Sequence, residues 1–221
     1  MANDKFSIGE AVGFGWETFK NNIGFFILLL IIVIIPNVLD GVFEVLAKQI
    51  GIPGFIILLI KIVFFVINAG FTMGVINIAI QFADGKEPGF GDLFSCFGLF
   101  FKYFFGLIIY GLIVILGLIL LIIPGIIWAI KYGYFMYLIV DKNLGPIQSI
   151  KRSGQITQGV KWDLFFLNLS FFGLAILGLL ACCIGLFAAW PTIMVGCAYV
   201  YRKLEPLPQP PPPLYQQTPM A

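Results

Sequence analysis

Six long runs of apolar residues follow one another along this chain. They cover residues 23–39, 52–82, 101–123, 124–140, 162–183 and 184–201. A helix needs about 20 mostly apolar residues to cross a bilayer. Hydrophobic residues make up 60% of the 221 and charged residues only 11%, whereas a soluble domain is about 25% charged. A soluble domain needs more polar surface than this, so we predict an all-α integral membrane protein with six transmembrane helices.

The positive charges predict which side of the membrane each loop occupies. Ten of the thirteen Lys and Arg residues lie on one side of the predicted membrane. They are Lys5 and Lys20 before the first run, Lys86 and Lys102 at the junction of the second and third runs, Lys142, Lys151, Arg152 and Lys161 between the fourth and fifth, and Arg202 and Lys203 after the sixth. Only Lys48 falls in a loop on the other side. Short loops rich in Lys and Arg stay in the cytoplasm, so both termini are predicted to be cytoplasmic. The first five residues do not resemble a cleavable signal peptide, so we expect the first helix to be retained. The net charge of +2 does not indicate a nucleic-acid partner.

The loops on the outer side resemble one another. Two of them contain Pro-Gly, at Pro53-Gly54 and at Pro124-Gly125, which is typical of a tight turn that restarts a helix. We place the third turn at residues 183–186. A less hydrophobic segment precedes each pair of runs: Ser7–Asn22, Gly89–Phe100 and Pro146–Val160. The pattern predicts three hairpins over residues 23–82, 101–140 and 162–201, each after a cytoplasmic interfacial helix; similar turns arising from bilayer composition alone are the alternative.

Charged and polar side chains inside the runs are candidate functional residues, because burying a charge in lipid is costly. Lys61 and Lys131 lie eight and seven residues beyond Pro53 and Pro124, at similar predicted depth. Asp40 or Glu44 could neutralise either lysine, or the lysines could attract an anionic headgroup or solute. Snorkelling to the interface is the structural alternative.

A polar stripe and a basic segment extend this set. Lys61, Asn68 and Thr72 share one face of the second helix, which favours either a path for a solute or lipid or hydrogen bonds between helices. On the third interfacial segment, Lys151 and Arg152 are predicted to face anionic headgroups of the inner leaflet.

No residue pattern predicts catalysis, a metal or a cofactor. The chain has no histidine and only four cysteines, none of them at a zinc-ligand spacing. Cys182 and Cys183 could cross-link outside the cell, or they could be buried as small apolar residues. Residues 1–205 are therefore predicted to form one membrane domain. The Pro-rich residues 206–221 form a cytoplasmic tail without helix, in which Pro212-Pro213-Leu214-Tyr215 matches a pattern that WW-type grooves bind.

The stretch from Leu112 to Leu169 resembles a known family. It contains Ile122-Ile123-Pro124-Gly125, Asp141, Gly145-Pro146-Ile147, Ile150-Lys151-Arg152-Ser153, Thr157-Gln158-Gly159 and Trp162-Asp163-Leu164-Phe165. These motifs, and the opening from Ile8 to Lys20, are similar to an uncharacterised bacterial family of six-span membrane proteins related to the membrane domain of some glycerophosphodiester phosphodiesterases. The family often has an aromatic residue where this chain has Gly154. The resemblance implies a bacterial cytoplasmic-membrane protein. It implies no hydrolase activity, since the phosphodiesterase domain is absent from these residues.

Three functions follow as hypotheses. The first is a non-enzymatic membrane protein that binds or moves a lipid or amphiphile, or supports envelope assembly. The second is a channel or transporter for a small solute, and the third is a scaffold that recruits a protein through residues 206–221. Membrane lipids are the expected partners, and small-residue faces allow a homo-oligomer.

Overall fold

The protein is entirely helical over the residues that the computed structural model describes, which are 6–180 and 184–206. The nine α-helices of these residues are α1 (Ile8–Asn21), α2 (Ile23–Ile50), α3 (Gly54–Ala83), α4 (Phe100–Leu120), α5 (Ile122–Tyr132), α6 (Phe135–Lys142), α7 (Pro146–Ile156), α8 (Lys161–Leu180) and α9 (Ile184–Leu204). Two 3₁₀ turns, Phe90–Leu93 and Phe97–Leu99, connect α3 to α4. The predictions about Cys182, Cys183 and tail residues 207–221 lie outside the described residues. Of the turn predicted at residues 183–186, residue 183 lies outside them as well, and residues 184–186 begin α9.

Five helical stretches are long and apolar enough to cross a membrane. They are Ile23–Ile50, Gly54–Ala83, Phe90–Leu120, Ile122–Lys142 and Lys161–Leu180. The sixth predicted span corresponds to α9, which is not among these five; its last turn contains Arg202 and Lys203. The all-α class is therefore confirmed for the described residues, and the helices are compatible with a membrane protein. Six spans remain a prediction.

The helix ends follow from local chemistry. Gly51 ends α2 in the left-handed region at φ 77°, where its backbone N–H bonds to the carbonyls of Ala47 and Lys48, a conformation that glycine adopts without strain. Pro53 and Gly54 then begin α3 as expected. The second turn lies earlier than predicted: Leu121 is extended and α5 starts at Ile122. Pro124 and Gly125 therefore lie in the first turn of α5, where a missing N–H costs little.

The fourth predicted span is two helices. α5 ends at Tyr132 and α6 begins at Phe135, with Gly133 and Tyr134 between them. Ser153 Oγ and Thr157 Oγ1 of α7 each donate a hydrogen bond of 3.0 Å to the carbonyl of Lys131. Because the last carbonyls of a helix lack partners within it, these two hydroxyls stabilise the break from outside.

Burial divides the molecule into a packed part and a sparsely packed part. The packed part, called the base below, comprises α1, residues 69–83 of α3, α6, α7 and residues 194–204 of α9, and contains most of the fully buried side chains. By contrast, α2, the first half of α3, α4 and α8 expose many large apolar side chains, among them Ile35, Leu58, Leu112, Ile115 and Phe172. Apolar surface on this scale is what a lipid environment would cover.

Glycines allow two close approaches within the base. A Cβ on Gly15 of α1 would overlap the backbone carbonyl of Thr192 in α9, so the two helices meet backbone to backbone. In α3, Gly74 lies under the backbone of Leu93 and Gly70 under the ring of Phe97. The segment Gly89–Phe100 is therefore not the predicted α-helix at an interface. It forms 3₁₀ turns, because its phenylalanines and backbone fit into the glycine gaps of α3.

The segment Pro146–Val160 is helical over Pro146–Ile156, and its position at a membrane interface stays a prediction. It contains α7, but the buried face of α7 contacts α4, α5 and α6 and includes the hydroxyl residues Ser149 and Ser153. Ile147 of the same helix is 59% exposed. A helix that packs on protein can bury small hydroxyl side chains if these donate hydrogen bonds to backbone carbonyls. Hydrophobic periodicity does not predict such burial, because it scores these residues as polar.

Candidate functional site

A buried ion cluster joins three distant segments within the base. Arg202 of α9 binds Asp84 at the end of α3, with Nη2 at 2.9 Å from Oδ2. It also binds Asp141 of α6, with Nη1 at 2.8 Å and Nη2 at 2.7 Å from the two carboxylate oxygens. Tyr201 donates a hydrogen bond of 2.7 Å to Asp141. The side chains of Arg202, Asp84 and Asp141 are 6–11% exposed. Arg202 therefore neutralises two buried carboxylates and connects the helices that carry them.

This cluster was missed from the sequence. Arg202 contributed only to the charge asymmetry, and Asp84 was not singled out. Asp141 appeared in the family-like stretch, which was the one available signal. A pairing between residues 84, 141 and 202 depends on tertiary contacts and leaves no periodic pattern.

The predicted intramembrane lysines occupy different surroundings. Lys61 binds Glu44 Oε2, and Lys48 binds Glu44 Oε1 at 2.6 Å. Of the two carboxylates named as candidates, the structure thus pairs Glu44 with Lys61. One oxygen of Asp40 is buried with no hydrogen-bond partner among the described residues. Asn68 accepts a hydrogen bond of 2.9 Å from Asn37, and Thr72 donates one of 2.9 Å to the carbonyl of Asn68. The polar stripe is therefore bonded within α2 and α3.

Lys131 lies instead beside α7. Its ammonium is 4.9 Å from the centre of the Tyr132 ring, and its side chain passes over Gly154. A Cβ at residue 154 would lie 3.3 Å from Lys131 Cε and 3.0 Å from Tyr132 Cε1. Because Gly154 has no side chain, the side chain of Lys131 can pass close to the backbone of α7 at this residue.

A cleft of about 560 Å³ opens at this place between α4, α5 and α7. Its walls combine apolar, polar and basic side chains: Ile109, Ile113, Lys131, Tyr132, Ile147, Ile150, Lys151, Gly154, Gln155 and Gln158. Within the part of the chain that the structure describes, neither Lys131 nor Lys151 forms an ion pair. The cleft thus offers two ammonium groups beside an apolar wall, which suits an anion attached to an apolar chain.

The second predicted headgroup residue is engaged elsewhere. Arg152 binds Glu205 through Nε at 3.1 Å and through Nη2 at 3.0 and 2.8 Å. Its charge is therefore neutralised by a residue just beyond α9, and Lys151 remains as the basic residue of α7 that faces the cleft. No group of three His, Cys, Asp or Glu that could hold a metal ion occurs in residues 6–180 and 184–206.

Over the residues that the structure describes, the protein is all-helical and five helical stretches are able to cross a membrane, which is compatible with a membrane protein. Residues 106–207 match the family described as "Protein of unknown function (DUF975)". Among the curated proteins and the solved structures, no match to the chain was found. The matched segment includes Lys131, Lys151, Asp141 and Arg202, whereas Glu44, Lys61 and Asp84 precede it.

Proposed function

We propose that this protein binds or moves an anionic lipid or amphiphile in a membrane, without catalysis. The observation that carries the proposal is the cleft whose walls include Lys131 and Lys151 together with Ile109 and Ile113. An ammonium pair binds a phosphate-type anion, and isoleucines beside it bind an acyl chain through apolar contact. A chain without histidine also lacks the usual general base at neutral pH.

The proposed setting is the bacterial cytoplasmic membrane, crossed six times in three hairpins with both termini inside. The distribution of Lys and Arg supports this orientation. Contacts of α2 with α3, α4 with α5 and α8 with α9 support the hairpins. The resemblance to membrane domains related to glycerophosphodiester phosphodiesterases supports the same architecture, and support for envelope assembly is compatible with it.

The test removes the charges of the cleft. We expect Lys131→Met with Lys151→Met to lower the anionic phospholipid retained by the purified full-length protein several-fold, measured by mass spectrometry after solubilisation from membranes containing phosphatidylglycerol. Methionine keeps the length of each side chain, so packing is largely preserved. Lys61→Met is the matched control, because Lys61 already pairs with Glu44. Equal lipid retention in the double variant and the parent would reject the proposal.

Two other functions keep their own tests. The polar stripe Lys61, Asn68 and Thr72 supports a channel or transporter, for which a cysteine at residue 68 must react with a membrane-impermeant thiol reagent. The Pro-rich tail supports a scaffold, for which deletion of residues 206–221 must abolish co-purification of a partner protein. Protection at residue 68 and unchanged co-purification, respectively, would exclude them.

A further inference from the structure

We propose that two copies of this chain associate through α2 and α3. The contact would form along a set of side chains called the polar seam, which consists of Asn37, Glu44, Lys48, Lys61 and Asn68. This surface is separate from the Lys131–Lys151 cleft, and the proposal does not depend on the proposed function.

The polar seam links α2 to α3 by hydrogen bonds at two levels. Nearer the Gly51 turn, Glu44 binds both Lys48 and Lys61. Farther from it, Asn37 Nδ2 donates to Asn68 Oδ1 at 2.9 Å and to the carbonyl of Val33 at 3.0 Å. Asn68 Nδ2 donates to the carbonyl of Phe64 at 3.0 Å. Each amide thus has a fixed orientation.

These polar groups are incompletely covered by the chain's own helices. Asn37 is exposed, and the side chains of Lys48, Lys61 and Glu44 are 66%, 40% and 32% exposed. α2 packs mainly on α3, with smaller contacts to α1 and α9. The ring of Phe25 contacts the ring of Phe82 edge-on, and the ring of Phe26 contacts it in a tilted arrangement, so this end of α2 packs against the base.

The position of Asn37 makes its exposure costly. Asn37 precedes the Gly51 turn by fourteen residues, which is about 21 Å along a helix that rises 1.5 Å per residue. The hydrocarbon core is about 30 Å thick, so a turn near one surface places this amide deep within it. Polar side chains of spanning helices face protein or water, and Asn hydrogen-bonds across helices.

A second copy fits this surface because the surface is complementary to itself. The polar seam contains the acid Glu44 and the bases Lys48 and Lys61, with a second acid, Asp40, one helical turn from Glu44 on α2; an amide is both donor and acceptor. A twofold axis brings the same patch of each copy together, so a patch needs both members of every pair. Lys48 binds Glu44 of its own copy and is the most exposed of these charges, so its remaining N–H donors can bind a carboxylate of the other copy.

The surroundings of the polar seam allow two helices to meet closely. A Cβ on Gly41 would have no atom within 4 Å, so the backbone of α2 is open at this residue. Val38, Val42 and Val45 flank it and are 51–56% exposed. Small residues between apolar side chains favour packing between helices in lipid.

Cysteine cross-linking of the full chain tests the proposal. In a variant whose native Cys96, Cys182, Cys183 and Cys197 are replaced by alanine, we expect Gly41→Cys to form a disulfide-linked dimer on mild oxidation in native membranes. Ile115→Cys is the control, since Ile115 is 55% exposed on α4 and lies outside the polar seam. Linkage at neither residue, or equally at both, would overturn the proposal.

A second measurement uses the unlinked protein in liposomes. We expect Asn37→Leu to weaken self-association, measured by energy transfer between labelled copies as the lipid-to-protein ratio rises, by about tenfold. Asn168→Leu in α8 is the matched control, because Asn168 is also exposed and bonds to the carbonyl i−4. A parent protein that is monomeric at every ratio would refute the proposal. In that case a different protein or water covers the polar seam.

Discussion

The guanidinium of Arg202 holds two carboxylates that belong to helices far apart in the chain. Burial removes water from Asp84, Asp141 and Arg202 together, and each charge is stable there only with its partners. Lys131 and Lys151 show the opposite condition, since both line a cleft whose walls include no carboxylate. At the scale of single residues, the first group stabilises the fold and the second forms the proposed ligand site.

Arg202 gives a prediction about stability. Arg202→Met leaves two buried carboxylates without their cation, and we expect the free energy of unfolding to fall by about 3–5 kcal/mol. Thermal unfolding of the detergent-solubilised protein measures the effect. Lys203→Met is the control, because Lys203 is the next residue in the chain, is exposed and lies over the ring of Tyr199. Similar losses of stability in the two variants would contradict the structural role of the Arg202 cluster.

Gly154 gives a prediction about binding. Gly154→Leu fills the cleft without removing a charge, and we expect retained anionic lipid to fall about as far as in the Lys131→Met, Lys151→Met variant. The contacts of a new side chain are with the flexible end of Lys131 and the edge of Tyr132, so the fold can adjust. Gly173→Leu, where a Cβ meets nothing within 4 Å, serves as the control. Unchanged lipid retention in Gly154→Leu would place the bound lipid elsewhere.

At the scale of elements, helices of similar composition differ in what they contact. The first half of α3 is largely exposed and its second half is largely buried, because the 3₁₀ turns and α9 cover only the second half. The α5–α6 break has the same kind of origin, since α7 supplies hydroxyls to the carbonyl of Lys131. Neighbouring elements therefore decide how an apolar helix is used.

The contact between α1 and α9 gives an element-scale prediction. Gly15→Ala places a methyl against the carbonyl of Thr192 and should force the two helices apart, at a cost of about 1–3 kcal/mol. Gly13→Ala on the same helix meets nothing within 4 Å and should stabilise by about 0.5–1 kcal/mol. Unfolding curves of the two variants measure the difference, and equal effects would argue against the close approach.

At the scale of the whole molecule, the base contains most of the buried side chains, whereas the remaining helices expose most of the large apolar ones. The Asp84–Asp141–Arg202 cluster and the Arg152–Glu205 pair both lie near the end of α9. The exposed apolar side chains lie mainly on α2, the first half of α3, α4 and α8. This division supports a packed end at one face of a membrane and helices that contact lipid.

Membrane topology gives the last prediction. Reporter fusions after Gly51 and after Leu121 should show alkaline phosphatase activity, which requires export, at least tenfold above fusions after Lys86 or Lys142. A fluorescent protein fused after residue 203 should be bright, because it folds only in the cytoplasm. Phosphatase activity at Lys86 would contradict the orientation inferred from positive charge.

The all-α class and most helix positions were predictable because bilayer thickness requires long apolar runs, and Pro53-Gly54 marks a turn through backbone chemistry alone. Hydrophobic periodicity did not predict the 3₁₀ turns, the α5–α6 break or the buried hydroxyls of α7, because each of these depends on contacts with neighbouring elements. The sequence could indicate Lys131 as a charge within an apolar run and Lys151, with Arg152, as part of a basic segment, but it did not indicate that Lys131 and Lys151 line one cleft.

What the sequence by itself determined is the all-α class and the positions of the apolar stretches along the chain, since both depend on composition within single segments. Only the tertiary structure decided that Lys61 is paired with Glu44, that Lys131 and Lys151 share a cleft and that Arg202 binds Asp84 and Asp141. The physical reason is that hydrophobic burial acts on any apolar stretch, whereas an ion pair or a cleft depends on which distant residues the packed helices bring within a few ångströms of each other.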